Sequence, residues 1–269
     1  MRFCYGAPPK FERAECIKTA YKTSSYNPIY TVVHISLDEN PSYEALSYTW
    51  GDTSVQGPRI LLDSKPFQVT VNLGAALLNL RDEASGDPKE RILWIDAICI
   101  NQTDIQERNE QVQRMKAIYS SAVQVVIWLG RYHETQDDML EFDEDVWELR
   151  SIKEGTKETT ATVFEFMKSL SRRITKPEPG SDLNRPFGDM LPRGTRDLAN
   201  LKRLLMRPWF ERLVVVQELL VAQQAQVICG RCSLSWSELE KACGLLLQLI
   251  QQQATDLRIW GNFYCKVKN

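Results

Sequence analysis

The chain has 269 residues, 43% of them hydrophobic and 25% charged, which excludes collagen-like and disordered proteins and suits one large domain or two small ones. Its 33 basic and 35 acidic side chains leave a net charge of −2, so no overall basic field favours nucleic acid as a partner. No apolar run approaches a membrane span, the first residues lack the apolar centre of a secretory signal, and seven irregularly spaced cysteines indicate reduced thiols. We therefore expect a cytoplasmic protein with no membrane partner.

The first part of the chain predicts strands and then a helix. Residues 1–28 contain three prolines and no clean periodicity, which indicates a loosely attached leader. Three β-rich segments follow, the last with a turn at Asp63-Ser64. They are residues 29–37, residues 43–48 and the hairpin 60–71. Asn72 is then expected to cap a helix whose apolar positions lie three or four residues apart.

The stretch from residue 91 to residue 130 carries the clearest pattern. Residues 92–100 (ILWIDAICI) are almost continuously apolar, which is typical of a strand buried on both faces. Asp104 and Glu107 form a capping box that begins a helix, and residues 123–129 predict a second buried strand. These elements form a βαβ unit, whose strands should be parallel with a right-handed crossover.

The composition changes over residues 131–200, which we interpret as a helical and irregular insertion on an α/β core. The acidic block, residues 134–148, holds eight acids and no base, and the basic block, residues 168–207, holds ten bases against four acids. Solvated surface, mutual pairing and self-association all account for these blocks. Helices are predicted around residues 139–150 and 159–171.

The last part of the chain predicts helices around one hairpin. Residues 197–206 and the very apolar residues 209–225 predict helices, and strands on either side of Gly230-Arg231 are expected to pair. Ser235 and Glu238 form a capping box for a final helix that ends near residue 253. We therefore predict a single α/β domain over residues 29–269, with a mainly parallel sheet and helices on both of its faces.

Common catalytic and cofactor motifs are absent from the sequence. Cys229 and Cys232 have the spacing of zinc ligands, but no second ligand pair accompanies them, so a tight turn explains them better. Neither GxxxxGK[ST] nor GxGxxG is present, which excludes the classical phosphate-binding loops. We expect no metal site and no required cofactor.

Two acidic residues in apolar surroundings are candidates for chemistry. Asp96 interrupts residues 92–100 near the carboxyl end of a predicted strand, where α/β sheets bind ligands, although it could equally order the turn at residues 101–103. Glu218 lies in the apolar run LVVVQELLVA and should have a raised pKa unless a cation pairs with it. Arg207 and Arg212 are its candidate ion-pair partners.

A third candidate is the segment Tyr48-Thr49-Trp50-Gly51-Asp52. A strand that ends in aromatic side chains, a glycine and an acid suits a loop that approaches a ring-bearing ligand closely. A packed turn explains the same residues equally well.

Three blocks of sequence stand out together. They are YEALSYTWGD at 43–52, LWIDAICINQTDIQERNEQVQRMKAIYSSAVQVVIWLG at 93–130 and RPWFERLVVVQELLVA at 207–222. Their composition, order and spacing resemble the heterokaryon-incompatibility (HET) domain of fungal proteins, over roughly residues 29–235. In one departure, Leu213 stands where the third block of the family usually carries a second tryptophan.

The resemblance implies a module that executes programmed cell death after unlike fungal cells fuse, often beside a sensor domain or partner protein. HET domains are also held to be distantly similar to TIR domains, which have a flavodoxin-like sheet and often cleave NAD. Glu218 matches the catalytic glutamate of the TIR domains, so NAD is the candidate substrate.

Beside Glu218, we expect other residues of the three blocks to bind substrate or to position the loops around it. Tyr48 or Trp50 would stack on a ring, and the other residues would shape the loops or bind substrate. These other residues are Gly51, Asp52, Asp96, Asn101, Arg207 and Trp209. TIR-like sites are often completed by self-assembly, so a homo-oligomer is expected. The alternatives are a non-enzymatic assembly module and, third, a sensor that binds a nucleotide without turnover.

Overall fold

The computed structural model describes residues 13–20, 29–81, 91–131, 154–175 and 195–252. Nine strands in these ranges form one mixed sheet. They are β1 (Arg13–Ala20), β2 (Ile29–Ser36), β3 (Glu44–Tyr48), β4 (Arg59–Leu62), β5 (Lys65–Gln68), β6 (Ile92–Trp94), β7 (Gln124–Trp128), β8 (Ala225–Cys229) and β9 (Cys232–Ser235). Their order across the sheet is β5-β4-β2-β1-β6-β3-β7-β8-β9.

Seven α-helices accompany the sheet in the same ranges. They are α1 (Val71–Arg81), α2 (Asp96–Cys99), α3 (Ile105–Ser121), α4 (Glu154–Thr175), α5 (Thr195–Leu205), α6 (Val214–Leu220) and α7 (Trp236–Gln252). A 3-10 turn, Pro208–Glu211, precedes α6. None of the helices described is long and apolar enough to cross a bilayer.

Four neighbouring strands at the centre of the sheet, β6, β3, β7 and β8, are parallel to one another. The α/β class and the parallel relation of β6 and β7 are therefore confirmed, although β3 lies between those two strands. Four of the eight strand pairings described are antiparallel, so the expected mainly parallel sheet is wrong. Two of the four follow from tight hairpins, β4-β5 and β8-β9, because a two-residue turn can join only antiparallel strands.

The register of β3 distributes its side chains between two layers of helices. Ser47 lies opposite Ile127 and Tyr48 lies opposite Trp128, and successive side chains of a strand point to opposite faces. On the Tyr48 face, Trp128 donates from Nε1 to Asn72 Oδ1 of α1 at 2.9 Å. The other face carries α6, since Glu218 accepts a hydrogen bond from Ser47. The sheet is therefore covered on both faces, as predicted.

Several local predictions are confirmed. Asp63 and Ser64 both have positive φ, 49° and 64°, as the two central residues of a type I′ hairpin turn require. Asp104 caps α3 by accepting from the N–H groups of Gln106 and Glu107 at 2.9 and 3.1 Å. Ser235 and Glu238 make the reciprocal bonds of the capping box at the start of α7.

The expectation that residues 1–28 form a loosely attached leader is wrong for residues 13–20. Residues 13–20 form β1, which pairs along its whole length with β2 and also with β6. Cys16 and Ile17 are completely buried there. The hydrogen bonds and apolar burial of an interior strand therefore make this segment an integral part of the sheet.

Two predicted elements are shorter than expected. The strand predicted over residues 92–100 ends at Trp94, and Asp96 begins the short helix α2 instead, where its carboxylate accepts from the Ala97 N–H at 2.7 Å. The apolar helix predicted over residues 209–225 is interrupted because Arg212 has extended dihedrals, φ −80° and ψ 125°. Only α6 remains of it after the 3-10 turn.

The cap of α1 differs from the prediction, and one helix of the insertion agrees with it. Thr70 rather than Asn72 caps α1, since the Thr70 hydroxyl accepts from the Leu73 N–H at 3.3 Å. The helix predicted around residues 159–171 is confirmed as part of α4. The helix predicted around residues 139–150 and the acidic block lie outside the described residues.

Candidate functional site

Glu218 is buried at the carboxyl end of β3, with only 3% of its surface exposed. Its Oε2 accepts a hydrogen bond from Ser47 Oγ, and Trp209 Nε1 donates to the same Ser47 Oγ at 2.8 Å. An indole nitrogen can only donate, so the serine oxygen accepts from Trp209 and directs its own hydrogen towards Glu218. Trp209, Ser47 and Glu218 therefore form a hydrogen-bond chain with a single direction.

Asp96 joins the loop after β6 to the loop after β3. Its Oδ2 accepts from Trp50 Nε1 at 2.8 Å. Gln102 donates to the backbone oxygen of Asp96 at 2.9 Å, and Asn101 does not contact the carboxylate. Asp96 therefore bonds the turn at residues 101–103 through its backbone oxygen, whereas its carboxylate bonds Trp50 and the Ala97 N–H.

The positive charge of Arg212 acts on both carboxyl groups, Glu218 and Asp96. Its guanidinium donates to the backbone oxygen of Tyr48. Burial raises the pKa of both Glu218 and Asp96, and the positive charge of Arg212 lowers both. The charge of Asp96 also raises the pKa of Glu218. Glu218, bonded to Ser47 near the end of β3, and Asp96, just after β6, therefore lie at the same edge of the sheet, beyond the carboxyl ends of the parallel strands.

Two tyrosines complete the cluster. Burial raises the pKa of Tyr48 well above its usual value, with the charge of Asp96 adding to the effect. Burial also raises the pKa of Tyr119, with a contribution from the charge of Glu218, and the Tyr119 hydroxyl donates to the Leu46 carbonyl at 3.2 Å. Both phenols are therefore protonated at neutral pH and act as neutral polar groups. Tyr48 is only 2% exposed, so its ring presents no open face to a ligand, whereas Trp50 is half-buried.

The loop residues Gly51, Asp52 and Asn101 are held by local structure. Gly51 has φ +77°, a conformation that favours glycine. Asp52 is exposed and accepts from the N–H and hydroxyl of Ser54, which lower the pKa of its carboxyl group. Asn101 Oδ1 accepts from the N–H and hydroxyl of Thr103 at 3.2 and 2.7 Å. These side chains order their own turns.

Arg207 binds the backbone of the segment that follows β7. Its guanidinium donates to the carbonyl oxygens of Leu129 and Arg131 at 2.5 and 2.6 Å. Of the two arginines considered as partners of Glu218, Arg212 is the one whose charge acts on it. No ion pair between Arg212 and Glu218 within 4.0 Å occurs in the described residues. The cation therefore acts at a distance, and Ser47 makes the direct contact.

Glu218 is not among the residues that line two pockets in the described part of the chain. One, of about 510 Å³, lies where β7 and β8 begin, at the amino-terminal edge of the parallel strands. The other, of about 50 Å³, is lined by Trp209, Arg212 and neighbours from α6. The candidate site is therefore a buried network, and Trp209 and Arg212 are the members that border the smaller pocket.

Cys229 and Cys232 flank the turn Gly230-Arg231 and lie opposite each other in the β8-β9 hairpin, as predicted. Among the described residues, no group of three or more histidine, cysteine or acidic side chains is arranged to hold a metal ion. That the pair binds no metal stays a prediction.

Sequence reasoning missed Ser47 and Tyr119 as members of the cluster. Ser47 had one usable signal, since it is the single neutral polar residue within β3, all of whose other residues except Glu44 are buried and apolar or aromatic. Tyr119 had none, because it belongs to an ordinary apolar stripe of α3. Their partners lie far along the chain; Ser47 and Glu218 are 171 residues apart.

Comparisons with known proteins agree with the sequence motifs. The model of the heterokaryon incompatibility protein (HET) family matches residues 43–218, from the residue before β3 to Glu218. A similar protein is heterokaryon incompatibility protein 6, OR allele, of Neurospora crassa, which is 29% identical over 220 residues. The alignment covers 79% of this chain and 32% of the relative, so the chain spans about a third of that protein's length. No solved structure matches the chain.

Proposed function

The chain belongs to the heterokaryon incompatibility family, and from that premise we propose that it is a cell-death effector domain that cleaves NAD at the bond between nicotinamide and ribose. Death of a fused cell would follow from loss of its NAD. The name of the matching relative refers to heterokaryon incompatibility and does not mention an enzymatic activity, so the proposed chemistry rests on the site itself.

The observation that carries the proposal is the buried carboxyl group of Glu218, whose pKa is raised, beside a second such group on Asp96. Carboxyl groups whose pKa is perturbed by burial and by specific charged neighbours are enriched at active sites. The Ser47 hydroxyl and the Arg212 charge both favour the ionised form of Glu218, which is the form that the reaction needs.

The strand order supports a ligand site at this edge. The parallel strands run β6-β3-β7-β8, which is the order 2-1-3-4 of flavodoxin-like sheets and agrees with the TIR-like fold that the motifs suggest. In such sheets, ligands bind beyond the carboxyl ends of the strands, where the order reverses. Here the reversal lies between β3 and β7, and the carboxyl end of β3 leads into Tyr48 and the loop of Trp50, which supports a ligand site there.

Breaking the nicotinamide–ribose bond releases neutral nicotinamide with the bonding electron pair and leaves an oxocarbenium-like ribose. The ionised Glu218 would stabilise that positive charge, as carboxylates do in glycoside hydrolysis. Water then adds to the ribose carbon and loses one proton, which yields ADP-ribose. Internal attack by the adenine ring would give a cyclic product instead.

Substrate reaches Glu218 only if the cover over the network opens. Arg212 borders the small pocket beside Trp209, so displacement of this arginine and the 3-10 turn is the most direct route. We propose that association of copies of the domain, or contact with a sensor domain or partner protein, provides that opening.

A second candidate function is a non-enzymatic module that triggers death by recruiting partners. It is favoured by the burial of Glu218, of which only 3% is exposed. In that case, the Trp209–Ser47–Glu218 chain fixes the position of α6 against β3 and performs no chemistry.

A time course of NAD and its products, at several protein concentrations, separates these functions. Chromatography should show nicotinamide appearing as NAD disappears, at a rate per molecule that rises with protein concentration. Unchanged NAD at the highest concentration would refute the enzymatic proposal and favour the recruiting module. Binding of NAD without loss would favour a nucleotide sensor.

A further inference from the structure

The pocket of about 510 Å³ is distinct from the Glu218 cluster. It lies at the amino-terminal edge of β7 and β8, and its wall includes Gln124, Ala225 and Trp236, the first residue of α7. Its volume falls within the range of roughly 300–1,000 Å³ that is usual for small-molecule sites.

Neutral amide groups dominate the polar lining of this pocket. Gln224 and Gln226 make no side-chain hydrogen bond to another residue in the described part of the chain. Gln124 and Gln223 donate their amide hydrogens to groups elsewhere, so their carbonyl oxygens are left as acceptors. A glutamine amide presents a donor and an acceptor side by side, the pattern that pairs with the edge of a nucleobase.

The aromatic ring of Trp236 and the negative charge of Glu240 further restrict the chemical class of ligand that this pocket suits. Trp236 also belongs to the lining, and an indole is a flat ring system on which a planar base can stack. Glu240 is the one formally charged residue in the lining, and no lysine or arginine is present there. A phosphate would therefore meet a carboxylate with no cation to balance it, which disfavours anionic nucleotides.

We propose that this pocket binds an uncharged nucleobase or nucleoside, with the base stacked on Trp236 and its polar edge bonded by Gln224 and Gln226. Such binding needs neither Glu218 nor cleavage of NAD. It can therefore succeed or fail independently of the function proposed above.

Calorimetric titration of the purified chain with adenosine, cytidine, guanosine and uridine, in the absence of NAD, tests the proposal. At least one nucleoside should bind saturably with one site per chain. The corresponding monophosphate should bind about tenfold more weakly because of Glu240. The variant Gln224→Ala should lose about tenfold in affinity, as expected for removal of a hydrogen-bonding side chain.

The matched control is Gln113→Ala, because Gln113 is an exposed glutamine of α3 outside the pocket and its variant should bind as the wild type does. Trp236 also packs edge-to-face on Trp209, with ring centroids 5.9 Å apart, so Trp236→Leu tests stacking only if its melting temperature is preserved. The affinities measured for Gln224→Ala and Gln113→Ala do not depend on that packing.

Absence of saturable binding for all four nucleosides would overturn the proposal. Wild-type affinity in the double variant of Gln224 and Gln226 to alanine would also overturn it, because the ligand would then bind elsewhere, for instance at the Glu218 edge. A monophosphate that binds as tightly as its nucleoside would refute the uncharged class.

Discussion

Replacement of Glu218 by glutamine separates catalysis from structure, because the two roles predict different changes in stability. The Ser47 hydroxyl can still donate to the amide oxygen, so the contact that now holds the carboxylate is kept. A hydrogen bond to a charged acceptor contributes about 1.5–3 kcal/mol and one to a neutral acceptor about 0.5–1.5 kcal/mol, so the loss is about 1 kcal/mol. Relief of the repulsion from Asp96 and of the burial of a charge offsets part of it.

The expected change in melting temperature is therefore small, within about 4 °C for a domain of this size. If Glu218 were instead half of an essential buried ion pair, the loss would be about 3–5 kcal/mol, and the melting temperature would fall by about 6–20 °C. The structure favours the small change, since Arg212 keeps its bond to the Tyr48 carbonyl in the variant.

Activity should respond far more strongly than stability. Loss of the negative charge that stabilises the ribosyl cation should reduce NAD consumption by about 100-fold or more. Differential scanning fluorimetry and the NAD time course, run on the same preparations, provide both measurements. Glu110→Gln is the matched control, because Glu110 is an exposed glutamate of α3, outside the 3-10 turn and the cluster, and should change neither. A stable Glu218→Gln protein that still consumes NAD would refute the assignment of Glu218.

The pH dependence of the same variant gives a second check. Since burial raises the pKa of Glu218, the folded wild type binds this proton more tightly than the unfolded chain does. Its stability should therefore fall as pH rises from the ordinary glutamate pKa through the raised one. Glutamine does not titrate, so the stability of the variant relative to the wild type should increase over that window. A difference that is independent of pH would contradict the raised pKa.

Three further predictions concern other parts of the molecule. Ser47→Ala should cost about 1–3 kcal/mol of folding free energy, because it leaves Trp209 and Glu218 without their shared hydrogen-bond partner. The loss should be greatest at high pH, because the pKa of Glu218 rises further when Ser47 no longer stabilises the ionised form. Thermal melts compare this variant with exposed Ser42→Ala, and equal stability of the two would contradict the prediction. Purified protein should contain no stoichiometric zinc at Cys229 and Cys232, so an equimolar zinc content by elemental analysis would refute that prediction. Self-association through the acidic and basic blocks should weaken with salt, since exposed charges are screened over about 8 Å at physiological ionic strength, and a monomer in sedimentation experiments at low salt and high concentration would count against it.

The sequence alone determined the elements that depend on neighbouring residues. The cap at Asp104, the capping box at Ser235, the turn at Asp63-Ser64 and the buried strand before Gly130 were predicted, because caps, turns and apolar periodicity involve residues only a few positions apart. The reciprocal bond of the box predicted at Asp104 is not made, since Glu107 accepts from the Asn101 N–H instead. Glu218 was also identified in this way, as an acid within an apolar run, although its neighbours were not.

The tertiary structure decided which distant groups meet. The strand β1 exists because β2 and β6 supply its hydrogen bonds from both sides, which no pattern within residues 1–28 announces. The helix predicted before Gln226 breaks at Arg212, whose guanidinium bonds the end of β3 far away in sequence. Ser47 reaches Glu218, and Asp96 reaches Trp50, only once the parallel register of the central strands is set. Local patterns fix the local backbone, but contacts across 46 or 171 residues depend on how the strands align, and that alignment is a property of the whole sheet.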